Sequence, residues 1–261
     1  MATAKQLRGV FAPILAEHPD LVLHRRWLFR PPITTAIIGL YIEPTSSPNG
    51  ARMNLSVIPL SRFSPPTSHG FKRSFQVERV IGAPAPGGST PGWMDLPPRI
   101  FQDMLAPEYG AELLRNFNAK VPAFLDAVRS FDDVVAWVLS LRGSFFDSAP
   151  VELIDGWIAT MQGDFSTAAG QLESYLGRLD PPAPWWPSDL RKQEKDILAI
   201  LRTGERTAIA AFLHAMEERT IAVDGLQRHW RRTPFPFERW GDGGAGIANP
   251  QVLIIELHRT Q

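Results

Sequence analysis

Two short runs of this sequence put cations beside indole rings: His24-Arg25-Arg26-Trp27 and His229-Trp230-Arg231-Arg232. A guanidinium next to a tryptophan can grip a carboxylate or phosphate, stack on a base, or anchor a protein interface. The pair Trp185-Trp186, flanked by Pro184 and Pro187, is a third candidate: exposed, it would be an interface hot spot. Against these stands an ordinary structural reading, in which a surface arginine packs its stem over a core tryptophan. Read as a single extended strand, residues 21–30 send His24 and Arg26 to one face and Arg25 and Trp27 to the other, which halves any local charge. The binding residues expected from sequence are therefore Arg25, Arg26, Trp27, Trp185, Trp186, His229, Trp230, Arg231 and Arg232.

Catalytic and cofactor chemistry finds less support. The chain has no cysteine, which removes disulfides, thiolate metal sites and a cysteine nucleophile together. Its six histidines are His18, His24, His69, His214, His229 and His258, and no two stand four apart, so a helical zinc pair of the H-x-x-x-H kind is missing. Gly241-Asp242-Gly243-Gly244-Ala245-Gly246 satisfies G-x-G-x-x-G, but Pro250 and a short apolar run follow where a dinucleotide site needs a helix and a distant acid. It reads as a loop. No serine lies in a G-x-S-x-G elbow. Asp132-Asp133 suits the start of a helix, and a solvated helix face accounts for Glu217-Glu218. The sequence thus nominates no catalytic residue, no metal ligand and no cofactor.

The elements that would position the cationic runs follow from periodicity. Leu7, Val10, Phe11, Ile14 and Leu15 form one helical stripe, with Pro13 as a kink or late first turn and His18-Pro19-Asp20 as the stop. Four strand-like segments come next, at 21–30, 35–43, 52–60 and 75–81. In the third, Met53, Leu55 and Val57 alternate with Arg52, Asn54 and Ser56, which signals a sheet with one wet face. Short connections favour an antiparallel meander. Residues 82–98, rich in proline and glycine, read as a linker or long loop.

Helices dominate from Pro107. One carries Leu113, Phe117, Val121, Phe124, Leu125 and Val128, with Pro122 as a kink or restart. Ser130 and Asp133 form a capping box before Val134 and Val138. A hairpin of helices turns at Gly163-Asp164, two more helices cover 188–202 and 205–220, and Asp224-Gly225 ends the last. Gln251 to His258, apolar on both faces, reads as an internal strand that rejoins the sheet. The fold class expected is α+β: an N-terminal helix and antiparallel sheet of about four strands, joined by a C-terminal strand, with a mainly helical second half. Its parts are 1–90, 99–249 and 250–261, taken together as one cooperative unit.

Charge bounds the partners. The net formal charge is zero, with 27 cations and 27 carboxylates, so nucleic-acid binding is disfavoured as a third reading. The front of the chain is basic and the middle acidic, an asymmetry that either balances inside the fold or offers a basic face to an acidic protein partner. No apolar run reaches the ~20 residues that span a bilayer, and the N-terminus lacks the apolar core of a signal peptide, so a cytoplasmic location is expected and no membrane contact.

Several pieces together resemble a bacterial family of unknown function that includes toxin-immunity-like proteins. They are the opening helix from Ala4 to Phe11, the strand from Arg52 to Val57, the helix from Glu112 to Asn118 with Val121-Pro122, and the Gly163-Asp164-Phe165 hairpin. The order of these pieces carries the resemblance, over residues 4–177; the loop 82–98 and the tail beyond Asp180 look unlike it. The family supplies no catalytic residue to transfer. The resemblance implies a protein-binding or immunity-like protein acting through a surface, without catalysis. The alternative is a hydrolase on an anionic substrate with a site assembled from distant residues. The sequence leaves the oligomeric state open.

Overall fold

The computed structural model describes residues 3–44, 51–61, 77–81, 107–140, 151–178 and 188–239. The chain is α+β. Helix α1 (Ala4–Glu17) opens it, and a capping box starts the helix: the Thr3 hydroxyl accepts from the Gln6 amide while the Gln6 side chain accepts from the Thr3 amide. Pro13 sits inside the helix, which runs through it to Glu17. The next elements are β1 (Val22–His24), β2 (Trp27–Phe29), β3 (Ala36–Pro44), β4 (Ala51–Pro59) and β5 (Val77–Ile81). They lie side by side in chain order, every pair antiparallel. The meander expected from the short connections is what forms.

The four strand-like segments give five strands because the first is not one strand. Residues 21–30 fold into a hairpin, pairing Leu23 with Leu28 and His24 with Trp27 around the two-residue turn Arg25-Arg26. Directly opposed residues share a face, so the turn places His24, Trp27 and Phe29 on the same side. The alternation expected for a continuous strand is therefore corrected. A two-residue turn resets the phase of side chains, and the cations at 25 and 26 occupy the turn itself.

The single wet face expected of the sheet is also corrected, because both faces are buried among the described residues. One face, with Leu28, Leu40, Ile42, Met53, Leu55 and Val57, joins the main core. On the other face Trp27, Phe29, Ile37, Tyr41 and Ile58 form a second buried cluster with Ile221 and Leu226. Ser56, expected to face water, is fully buried. The missing information was long-range: the end of a helix two hundred residues away covers this face. Gly39 is required where β2 meets β3, because a Cβ there would lie 2.3 Å from the Leu28 carbonyl oxygen.

Helices follow: α2 (Pro107–Ala127), α3 (Phe131–Ser140), α4 (Val151–Gln162), α5 (Phe165–Arg178), α6 (Ser188–Thr203), α7 (Arg206–Asp224) and the short α8 (Pro236–Arg239). Helix α2 passes through Pro122 without a restart. The capping box at α3 forms as expected: the Ser130 amide donates to the Asp133 carboxylate at 2.8 Å, and the Asp133 amide donates to the Ser130 hydroxyl at 3.2 Å. Burial opposes ionisation of Asp133, yet the Ser130 hydroxyl and the Ser130 and Arg129 amides outweigh it and hold the carboxyl below its usual range. Gly163, at φ 79°, makes the turn between α4 and α5. Neighbouring helices pack in sequence from α4 to α8, and α8 returns to α4. Apolar faces of α1, α2 and the helical layer meet the sheet in one core around Phe11, Phe117 and Trp157. The linker at 82–98, Trp185-Trp186, the loop at 241–246 and the strand at 251–258 lie outside the described residues.

Candidate functional site

The tip of the β1–β2 hairpin begins the site. Arg25 has φ 53°, a left-handed conformation that glycine or asparagine usually supplies. Holding an arginine there costs about 1–2 kcal/mol, and strained positions of this kind gather at functional surfaces. The Arg26 carbonyl accepts from the Ile42 amide at 2.9 Å, which fastens the tip to β3. Arg25 is exposed and Arg26 half-buried. Trp27 faces inward at 3% exposure, its ring 4.7 Å from that of Tyr41.

Helix α7 supplies the other half. It ends at Gly225, whose φ of 67° forms a left-handed cap. The chain then makes a tight turn at Gln227–His229 and passes alongside Ile33. There the Ile33 amide donates to the His229 carbonyl at 2.7 Å, and the Arg231 amide donates to the Ile33 carbonyl at 2.9 Å. The Trp230 indole donates to the Thr34 carbonyl at 3.1 Å. These bonds settle where the aromatic body of Trp230 lies, half-buried against the second core.

The two cationic runs therefore meet. His24 and His229 rings are 6.1 Å apart, edge to face, and the His229 ring also packs on Phe29 at 5.5 Å. His24 Nε2 donates to the Asp224 carbonyl at 2.8 Å, since a carbonyl oxygen only accepts. His229 Nε2 accepts from Arg228 Nε at 2.8 Å, which leaves its proton on Nδ1. Burial, then Arg228 and His24, lower the His229 pKa, in agreement with a neutral ring.

Around this paired imidazole floor Arg25, Arg228, Arg231 and Arg232 are exposed. Arg232 pairs with Glu218 at 3.3 Å, an exposed bridge, while among the described residues no carboxylate pairs with Arg25 or Arg231. Such a junction can receive anionic groups through guanidinium donors beside an apolar base. Of the residues expected from sequence, Arg25, Arg26, Trp27, His229, Trp230, Arg231 and Arg232 fall in this region, with Trp27 wholly in the core. Trp185 and Trp186 lie outside the described residues. Sequence reasoning missed Arg228 and the capping role of His24. The Asp224-Gly225 helix stop was visible, but nothing local said what would lie against it.

A second cluster was missed altogether. His214 on α7, 4% exposed, sits between two carboxylates: Glu217 Oε2 is 3.0 Å from Nδ1, and Glu238 Oε2 is 3.0 Å from Nε2. Its ring stacks on Phe235 at 4.2 Å. Glu217 is 1% exposed, so the solvated face expected for Glu217-Glu218 is corrected: only Glu218 meets water. Burial, partly offset by Arg232 and reinforced by Glu238 and Glu218, raises the Glu217 pKa to about 8. The spacing His214-x-x-Glu217 was legible as a same-face helical pair; Glu238 was not. The carboxylates occupy opposite edges of the ring and do not converge on one point. No group of three or more His, Cys, Asp or Glu that could hold a metal ion occurs among the described residues.

No helix among the described residues is long and apolar enough to cross a membrane. No protein-family model matches the chain, and no curated protein or solved structure is significantly similar to it.

Proposed function

We propose that this chain is a binding protein that acts through the junction of Arg25, Arg228 and Arg231 and takes an acidic protein as its partner. The observation that carries the reading is the convergence of two cationic runs whose anchoring residues, His24 and Asp224, are 200 positions apart. Folding brings them together over a floor of aromatic rings and, among the described residues, leaves the Arg25 and Arg231 guanidinium groups without carboxylate partners. Interfaces favour that combination of rigid aromatic support with arginine at the surface. The strained backbone at Arg25 adds to it, because a glycine would make the same turn at lower cost. An immunity-like role in the cytoplasm suits the reading: such a protein neutralises a partner by shape and charge, with no catalytic constellation. The neutral overall charge favours a local acidic patch over a polyanion as ligand.

The test is charge reversal at the junction. A partner captured by the full chain is purified, and its Kd is measured against wild type and the double variant Arg25→Glu/Arg231→Glu. Loss of about tenfold or more, which is ~1.4 kcal/mol, together with weakening by salt in the wild type, is the expected result. Unchanged affinity in the double variant overturns the reading. So does a captured ligand that proves to be nucleic acid.

A further inference from the structure

We infer that His214, Glu217 and Glu238 form a proton-holding clasp that seats the segment 232–239 on helix α7, and that loss of its shared proton releases that segment.

The argument starts from the ring. A neutral imidazole has one N–H and one lone pair. Both nitrogens of His214 lie 3.0 Å from carboxylate oxygens, so the three groups need one proton more than a neutral ring with two carboxylates holds. That proton lies between Nδ1 and Glu217, as a carboxylic acid donating to the ring or as an imidazolium donating to the carboxylate. The two arrangements differ only in which atom carries that proton. Nε2–H donates to Glu238 in either case.

The surroundings favour retention of the proton. Glu217 Oε1 is buried with no hydrogen-bond partner among the described residues, a poor place for full negative charge. The charged groups facing it are Arg232, from the segment leading into α8, Glu238 on α8 and Glu218 on its own helix. Two of these three are negative. Once the proton leaves, a lone pair on Nδ1 faces a buried carboxylate, or the single N–H turns to Glu217 and abandons Glu238.

Glu238 is the member able to leave. Its side chain is 28% exposed, against 4% for His214 and 1% for Glu217. It also accepts from the Phe235 amide at 2.6 Å, so its departure exposes that amide. At the far end Arg206 donates to the Phe237 carbonyl at 3.0 Å, a contact without a titrating group near neutrality. Trp230 and Arg231 stay behind, because the bonds of His229 and Arg231 to Ile33 and of the Trp230 indole to Thr34 are independent of the clasp. The segment that opens thus begins after the strand-like contact at Ile33.

Hydrogen exchange of the full chain tests this, with rates corrected for the intrinsic effect of pH. Protection within residues 232–239 is expected to fall about tenfold per unit once pH passes roughly 8, while residues 27–34 and Arg231 keep theirs. In Glu217→Gln the amide donates to Nδ1 without titrating, and protection is expected to stay level. A level profile in the wild type, or the same fall in Glu217→Gln, overturns the clasp. Should that variant fail to fold, the side-chain carboxyl carbon of Glu217, followed by NMR in the wild type, decides the matter. A transition near pH 8 supports the clasp; no transition between about 6 and 9 removes it.

Discussion

His24 Nε2 lies 2.8 Å from the carbonyl oxygen of Asp224, so the tip of the first hairpin caps the last turn of α7. The final carbonyls of a helix have no partner within it, and here one is satisfied from the opposite end of the chain. Gly225 supplies the left-handed φ of 67° that ends the helix there, and a Cβ at that position would meet the His24 ring and the Arg25 guanidinium at an ordinary contact distance of 3.8 Å. Cations near a helix C-terminus gain from its partial negative charge as well. Replacing His24 with Ala is expected to lower stability by about 1 kcal/mol, the net value of such a bond. Urea denaturation at constant m-value measures it. A variant as stable as wild type would mean that the bond contributes nothing net.

At the neighbouring position stability and binding are expected to separate. Arg25→Gly removes the strain of a side chain at φ 53° and should leave stability unchanged or raise it by up to about 1 kcal/mol. Arg25→Val should lower it, since a β-branched residue resists positive φ. Both variants remove the guanidinium and should weaken the proposed partner equally. A glycine variant that is less stable than wild type would show that the guanidinium, rather than the backbone, dominates the energetics of this turn.

Local signals carried much of the fold and little of the site. The stripe of α1, the capping box at Ser130 and Asp133, and the glycine turns at 163 and 225 depend on residues within a few positions of each other, and all were readable. So was the antiparallel order of the strands, because short connections allow little else. The break at Arg25-Arg26 was not readable from pattern, since the turn lacks glycine and asparagine and the apolar alternation continues across it. Burial of the second sheet face depends on Ile221 and Leu226 arriving from far along the chain, and no periodicity in β3 or β4 encodes that arrival. Gly39 shows the same limit: its need arises from the Leu28 carbonyl on the adjacent strand. The cationic runs were each visible, but their meeting is a tertiary fact. His214 and Glu217 share a helix face by spacing but Glu217 was read as solvated, and Glu238 reaches them only because Pro236–Arg239 folds back as α8.

Glu217 gives the sharpest dependence on pH. Its folded-state pKa, about 8, lies above the ordinary carboxyl value of 4.5, so the folded chain holds a proton that the unfolded chain has released. Stability from this group is complete below about 4.5 and declines as pH rises, at most by ~1.4 kcal/mol per unit, until the folded carboxyl ionises near 8. Glu217→Gln cannot ionise in either state. Its unfolding free energy should therefore decline less between pH 5 and 8 than that of the wild type, and the variant should be the more stable of the two at the upper end. Denaturant titrations of both proteins across that range compare the slopes directly. Parallel slopes would mean that burial does not hold a proton on Glu217 in the folded chain over that range.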